Sequence, residues 1–150
     1  MMKFIMLVGL PGAGKSTFAN TFEGYAIHSP DAIRNELNIH DIYQAQEVLD
    51  ILHERIYADM EQGKDIVYDS TNLTPNRRKK FLRSIEKYDY DKICYVIDTP
   101  VATCRARNAR RTGYAKVSDE EFDRMELVFK QPTYVEGWDK IIKYSEEINV

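Results

Sequence analysis

The residues Gly9-Leu10-Pro11-Gly12-Ala13-Gly14-Lys15-Ser16 fit the pattern G-x-x-x-x-G-K-[ST]. A loop of this kind aims backbone amides at phosphate oxygens, and its glycines permit the close approach. Gly12, Ala13, Gly14, Lys15, Ser16 and Thr17 are the expected cradle for nucleotide phosphates. Lys15 should reach the β- and γ-phosphates, and Ser16 should offer an oxygen to Mg²⁺. Asp31 and Arg34 form a second candidate pair, spaced to share one side of a helical turn. A carboxylate there can take a proton from an attacking hydroxyl, while a guanidinium holds an acceptor phosphate through two bonds. The plainer alternative has Ser29 or Asp31 capping a short helix and Arg34 pairing with a surface acid.

Asp69 follows the apolar run Ile66-Val67-Tyr68, the usual position of an acid that orients water on Mg²⁺ or places an acceptor. Ser70, Thr71 and Asn72 can add polar contacts, although an Asp-Ser-Thr-Asn cluster also builds turns unaided. Arg105, Arg107, Arg110 and Arg111 fall within seven residues, with Arg107 and Arg111 on one helix face. On a closing lid, such arginines would neutralise charge during phosphoryl transfer. On an ordinary helix they would simply face water.

The elements that must position these groups alternate along the chain. Phe4 to Val8 is a continuous apolar run of strand length, as a strand covered on both faces requires. A helix is expected over Lys15–Phe22 and a strand over Gly24–His28, ended by Ser29-Pro30. Val48, Leu52, Ile56 and Met60 recur every four residues within 41–62, an amphipathic helix closed by Gly63. After the strand at Ile66, Thr74-Pro75 sets a capping hydroxyl before a first-turn proline, starting a helix to about Tyr88. Ile93–Ile97 reads as a strand, 101–111 and 118–130 as helices, and Ile141-Ile142 as a last short strand. Strands alternating with helices predict a parallel sheet with helices on both faces.

Composition narrows the classes. The chain has 150 residues, 43% of them hydrophobic, which excludes disorder as its main state. Two cysteines, Cys94 and Cys104, make no disulfide framework and fit no metal spacing. No apolar stretch approaches the roughly 20 residues of a membrane span, so a cytoplasmic location is expected. The formal net charge of −3 conceals segregation: 75–116 carries 12 Lys+Arg against 4 Asp+Glu, and the remainder 9 against 20. Arg77-Arg78-Lys79-Lys80 is expected to form the solvated face of a helix, which can still track a phosphate backbone. No Asn-Lys-x-Asp guanine reader is present, and the length is small for a ring-forming AAA+ module with its helical lid domain. A small kinase is the class that remains.

Taken in order, Gly9–Thr17, Asp31-Ala-Ile-Arg34, Asp69-Ser-Thr-Asn-Leu-Thr-Pro75, Arg77-Arg78, Asp98-Thr-Pro100, Arg107-Asn-Ala-Arg-Arg111, 117–125 and Pro132–Gly137 resemble the 5′-kinase domain of polynucleotide kinases. The resemblance implies an α/β, three-layer P-loop NTPase fold. It would have a mostly parallel sheet of four to five strands, and a helical, arginine-bearing lid at about 101–117. It implies ATP as donor, Mg²⁺, and nucleic-acid 5′-hydroxyl ends as partners. By resemblance, Asp31 is the general base, Arg34 grips the acceptor's 3′-phosphate, and Arg111 is the lid arginine reaching the donor, supported by Arg107. Asp69, Thr71 and Asn72 fall on the acceptor side, with Asp69 and Ser16 toward the metal. Phage members of that family can carry the acid one position later, at Ser70 here.

The 3′-phosphatase domain that many such kinases carry is not expected. Asp89-Tyr90-Asp91 is the only near match to its motif, and it precedes a strand instead of ending one. Residues 1–150 are expected to form one kinase domain, alone or within a longer protein. Two alternatives stand beside this reading: a P-loop kinase acting on a small-molecule hydroxyl, and a nucleotide-dependent nucleic-acid-binding module that transfers nothing. Sequence leaves open the oligomeric state, the choice of DNA or RNA, and the donor purine.

Overall fold

The computed structural model describes residues 1–39 and 44–145. Five strands form one all-parallel sheet: β1 (Met2–Val8), β2 (Ala26–His28), β3 (Ile66–Tyr68), β4 (Tyr90–Ile97) and β5 (Lys140–Tyr144). Six α-helices lie among the described residues: α1 (Lys15–Ala19), α2 (Pro30–Leu37), α3 (Ala45–Glu61), α4 (Pro75–Ser84), α5 (Val101–Arg110) and α6 (Asp119–Val128). The first positions expected for the third helix, 41–43, lie outside the described residues.

Strand order is β2-β3-β1-β4-β5. From β1 the chain crosses to the edge strand β2, returns to β3 beside β1, and then passes to β4 and β5 on the other side, so β1 marks the switch point where open α/β sheets hold ligands. Side chains alternate along β1 as strand geometry demands. Phe4, Met6 and Val8 pack with Val48, Leu52 and Ile56 of α3 and with Phe81 and Leu82 of α4. Ile5 and Leu7 turn to the other face, with Val67, Ile93 and Ala19 of α1. Both faces are thus covered, as the apolar run in β1 required.

Several boundaries differ from the sequence reading. β1 and β4 begin earlier, because Met2 pairs with Tyr90 and Lys3 with Asp91; pairing, not hydrophobicity, sets those ends. Asp89 and Asp91 therefore sit at the amino end of β4, away from the carboxyl ends where the loops converge. α1 stops at Ala19, and Phe22 instead joins Phe18, Tyr25 and Tyr95 in an aromatic cluster. α4 stops at Ser84, although the fully buried Ile85 continues the inward-facing repeat of Arg78, Phe81 and Leu82.

The largest correction concerns Arg78. It does not join the solvated face of α4 but is completely buried. Its Nε and Nη2 donate to the Glu136 carboxylate at 2.7 and 3.0 Å, and Nη1 donates to the Asn72 carbonyl at 2.8 Å. Nη2 also reaches the Lys130 carbonyl at 2.9 Å. One guanidinium thereby fastens α4, the loop after β3 and the segment before β5.

Candidate functional site

The phosphate loop leaves β1 at Gly9, whose amide donates to the Thr71 carbonyl at 3.1 Å. Gly12 has φ +86°, and a Cβ there would stand 2.3 Å from the Cys104 carbonyl oxygen, so only glycine fits between loop and α5. Thr99 anchors the same loop from the end of β4, donating its hydroxyl to the Ala13 carbonyl at 2.7 Å. Lys15 is buried, and its ammonium donates to the Leu10 carbonyl at 2.8 Å. Burial lowers its pKa to about 8, against the opposing pull of Asp69. The amides at the start of α1 have no helical acceptors, as in any first turn, and are available to an anion. Thr17 is exposed on that turn.

Asp69 stands at the end of β3, nearly buried, and accepts the Ser16 hydroxyl at 2.8 Å. Desolvation raises its pKa, while the Ser16 hydrogen bond, Lys15 and Arg111 oppose the rise. Ser16 and Asp69 are a pair of hard oxygen donors and suit Mg²⁺. Among the described residues no group of three or more His, Cys, Asp or Glu could hold a metal. Protein would therefore supply few ligands and leave the others to phosphate and water, the usual arrangement for nucleotide-bound Mg²⁺.

Asp31 lies in the first turn of α2, where Pro30 starts the helix and the Ser29 hydroxyl caps it by accepting from the Ala32 amide at 3.1 Å. Capping therefore falls to Ser29, and the Asp31 carboxylate is left to the cavity. Its outer side is open to solvent, yet desolvation, then Asp69, raise its pKa; Lys15, Arg111 and Arg34 pull the other way. Arg34, half-buried one turn on, acts on Asp31 without lining the cavity.

A cavity of about 170 Å³ brings Lys15, Ser16, Asp31, Asp69, Thr71 and Arg111 together. Arg111 follows α5 and also donates to the Ala115 carbonyl at 3.4 Å. Arg107 faces the phosphate loop, its Nη1 3.4 Å from the Gly12 carbonyl. The segment after α5 is held in place: Asn108 donates to the Val117 carbonyl at 2.8 Å and accepts its amide at 3.1 Å. Arg105 leaves the site altogether, pairing with Asp123 at 2.7 Å and lying over the Phe122 ring. Asn72 is also absent from the lining. Its amide donates to the Leu7 carbonyl at 2.8 Å and its φ is +49°, so it ties the loop to β1.

Val117 and Met125 line the cavity beside these polar groups. The sequence offered no signal for them, because an apolar side chain before or on a helix has no chemistry that marks it for a site. Ser29 was legible as a helix cap, and Ser70 as a polar contact or a turn residue. Two carboxylates, a lysine, an arginine and a serine hydroxyl around one cavity can hold phosphates, a divalent cation and a proton acceptor together.

Such a site, built at the switch point of a parallel sheet with a G-x-x-x-x-G-K-S loop, defines a P-loop nucleotide-binding protein. The AAA domain family model matches residues 4–132, and the chain belongs to that family. The matched stretch runs from β1 through α6 and, among its described residues, holds no separate helical domain. An inferred bifunctional polynucleotide kinase/RNA ligase of Autographa californica nuclear polyhedrosis virus is 21% identical over 134 residues, which cover 79% of this chain and 19% of the relative.

A chain of the Pnkp1/Rnl/Hen1 RNA repair complex shares the fold with TM-score 0.68 and 20% identity, over 86% of this chain and 46% of that one. Mycobacterium tuberculosis APS kinase CysC, solved with AMPPNP and APS, shares it with TM-score 0.65 and 18% identity, over 95% and 88%. The chain thus spans about a fifth of the viral relative and under half of the repair-complex chain.

Proposed function

We propose that residues 1–150 form a kinase domain that transfers the γ-phosphoryl group of ATP to the 5′-hydroxyl end of a polynucleotide. The observation that carries this reading is the convergence of Asp31 and Arg111 on the cavity formed by Lys15, Ser16 and Asp69. Donor phosphates lie on Gly12–Thr17. Lys15 and Arg111 face the charge that accumulates on the transferring group, with Arg107 supporting the loop. Asp31 receives the proton of the attacking hydroxyl as its oxygen bonds to the γ-phosphorus and the bond to the β-phosphate oxygen breaks. The products are ADP and a 5′-phosphate. Ser16 and Asp69 would hold Mg²⁺, which would offset the charge of the β- and γ-phosphates.

Asp31 is exposed as well as lining the cavity, which is compatible with an acceptor that continues into solvent, and polynucleotide kinase appears in the name of the viral relative. Likeness to APS kinase keeps a small-molecule hydroxyl as the second reading. Incubation with γ-labelled ATP, Mg²⁺ and either 5′-hydroxyl oligonucleotides or a panel of small hydroxyl acceptors separates the two. Label on the oligonucleotide is expected; label only on small acceptors would replace this reading. Arg34→Ala should weaken use of a nucleoside 3′-phosphate by about 10-fold or more, the cost of one charged hydrogen-bonding partner, and spare a bare nucleoside. Equal losses on both would remove Arg34 from the acceptor phosphate.

A further inference from the structure

α4 carries no acidic residue, and with Arg78 turned inward its outer face consists of Arg77, Lys79, Lys80 and Arg83. Four cations elsewhere are paired with acids: Arg55 with Glu36 at 2.7 Å, Arg105 with Asp123, Arg124 with Glu121 and Lys64 with Asp59. No ion pair joins Arg77, Lys79, Lys80 or Arg83 to another described residue. Spacings of three and four residues place Arg77, Lys80 and Arg83, then Lys79, in one continuous band.

Along the later half of α4 runs a cleft of about 260 Å³ lined by Lys79, Arg83, Lys92, Glu86, Glu136 and Val135, among others. Glu136 adds no net charge, because its carboxylate is occupied by Arg78 and the Trp138 indole. Three cations therefore face one free acid. The turn on the opposite wall exposes Val135 (88%) and the Tyr134 ring (61%). A cationic groove beside an exposed aromatic ring is the arrangement that holds single-stranded nucleic acid, by phosphate contacts and base stacking.

We propose that the outer face of α4 and the Lys79–Arg83–Lys92 cleft form a binding track for single-stranded nucleic acid, separate from the reacting site. The inference rests on the reading of the acceptor as a polynucleotide. α4 begins four residues after the cavity residue Thr71, and its ten residues extend about 15 Å. The track thus leads away from the acceptor end, and only an acceptor longer than a few nucleotides can use it. An acidic peptide would satisfy the cations but make no use of the exposed face of Tyr134, whose hydroxyl accepts the Ile141 amide.

The test is equilibrium binding of a fluorescent single-stranded 5′-hydroxyl oligonucleotide and of a dinucleotide to the full chain, over a range of salt. Lys79→Gln/Arg83→Gln/Lys92→Gln should weaken the long ligand about 10-fold or more at low salt and flatten its log–log salt slope by about 2, at roughly 0.7 per phosphate contact. Dinucleotide affinity and the thermal midpoint should not change. Tyr134→Ala should weaken the long ligand several-fold with its salt slope intact. Equal binding by wild type and the triple variant would overturn the proposal. So would a wild type that binds both ligands alike, or competition by poly-glutamate as effective as by unlabelled oligonucleotide. A kinase of small acceptors would bind neither ligand, whereas an absent track would leave the dinucleotide bound and the long ligand bound no more tightly.

Discussion

Lys15 illustrates how burial sets the working range of a single residue. Its pKa, lowered to about 8, means that the uncomplexed protein loses this charge as pH rises through that value. For ATP, kcat/KM should fall above pH about 8, since that ratio reports the free enzyme. Lys15→Arg, charged throughout, should lack this limb at whatever activity it retains. An unchanged alkaline limb in that variant would show that another group titrates there. On the acid side Asp31 and Asp69 are both raised, by desolvation first. Activity should therefore be lost above the ordinary carboxylate range of about 4, as these neighbouring groups protonate. The same residues were legible in sequence because each sits at a motif position or at a strand end. Asn72, Arg78 and Arg105 were not, because their partners lie on other elements.

At the scale of elements, two joints hold the site. Arg78 and Glu136 are 58 residues apart in the chain, and their pairing fixes the Asn72 carbonyl behind the loop that carries Asp69 and Thr71. Arg78→Ala should lower unfolding free energy by about 3–5 kcal/mol, the usual result of leaving one buried charge unpaired; denaturant titration measures it. Burial alone would raise the Glu136 pKa, but hydrogen bonds from Arg78 and Trp138 bring it below the ordinary value. Its contribution is present above the unfolded carboxylate pKa and is lost as pH falls through the folded one. Glu136→Gln should accordingly flatten the acid side of the stability profile, and an unaltered profile would assign that acid sensitivity elsewhere.

Gly12 is the second joint. Gly12→Ala meets both a positive φ and the Cys104 carbonyl, so nucleotide binding by calorimetry should be abolished or weakened at least 10-fold, and near-native affinity would contradict the packing of α5 on the loop. Helix and strand identities were readable from apolar period and from the Ser29-Pro30 and Thr74-Pro75 caps, which are local signals. Boundaries at Met2, Ala19 and Ser84 depended on pairing and packing with distant residues.

Across the whole molecule, the sheet's switch point at β1 lets opposite halves of the chain supply opposite sides of one cavity. β2, α2 and β3 bring Asp31 and Asp69 to the cavity, while the segment after α5 brings Arg111, and Thr99 and Arg107 after β4 and on α5 hold the phosphate loop. The excess of positive charge in 75–116 is divided: Arg78 and Arg105 are used internally, Arg107 and Arg111 face the phosphate loop or cavity, and the outer cations of α4 belong to the proposed track. The central claim is that Asp31 activates an acceptor hydroxyl for attack on a phosphoryl group bound at Lys15. Its most direct test is the rate of label transfer from γ-labelled ATP to a 5′-hydroxyl oligonucleotide by wild type and Asp31→Asn, with nucleotide affinity measured on both. The account predicts unchanged ATP binding and a rate lowered about 10²–10⁴-fold in the variant, the range for loss of a general base. Transfer at the wild-type rate by Asp31→Asn would contradict it.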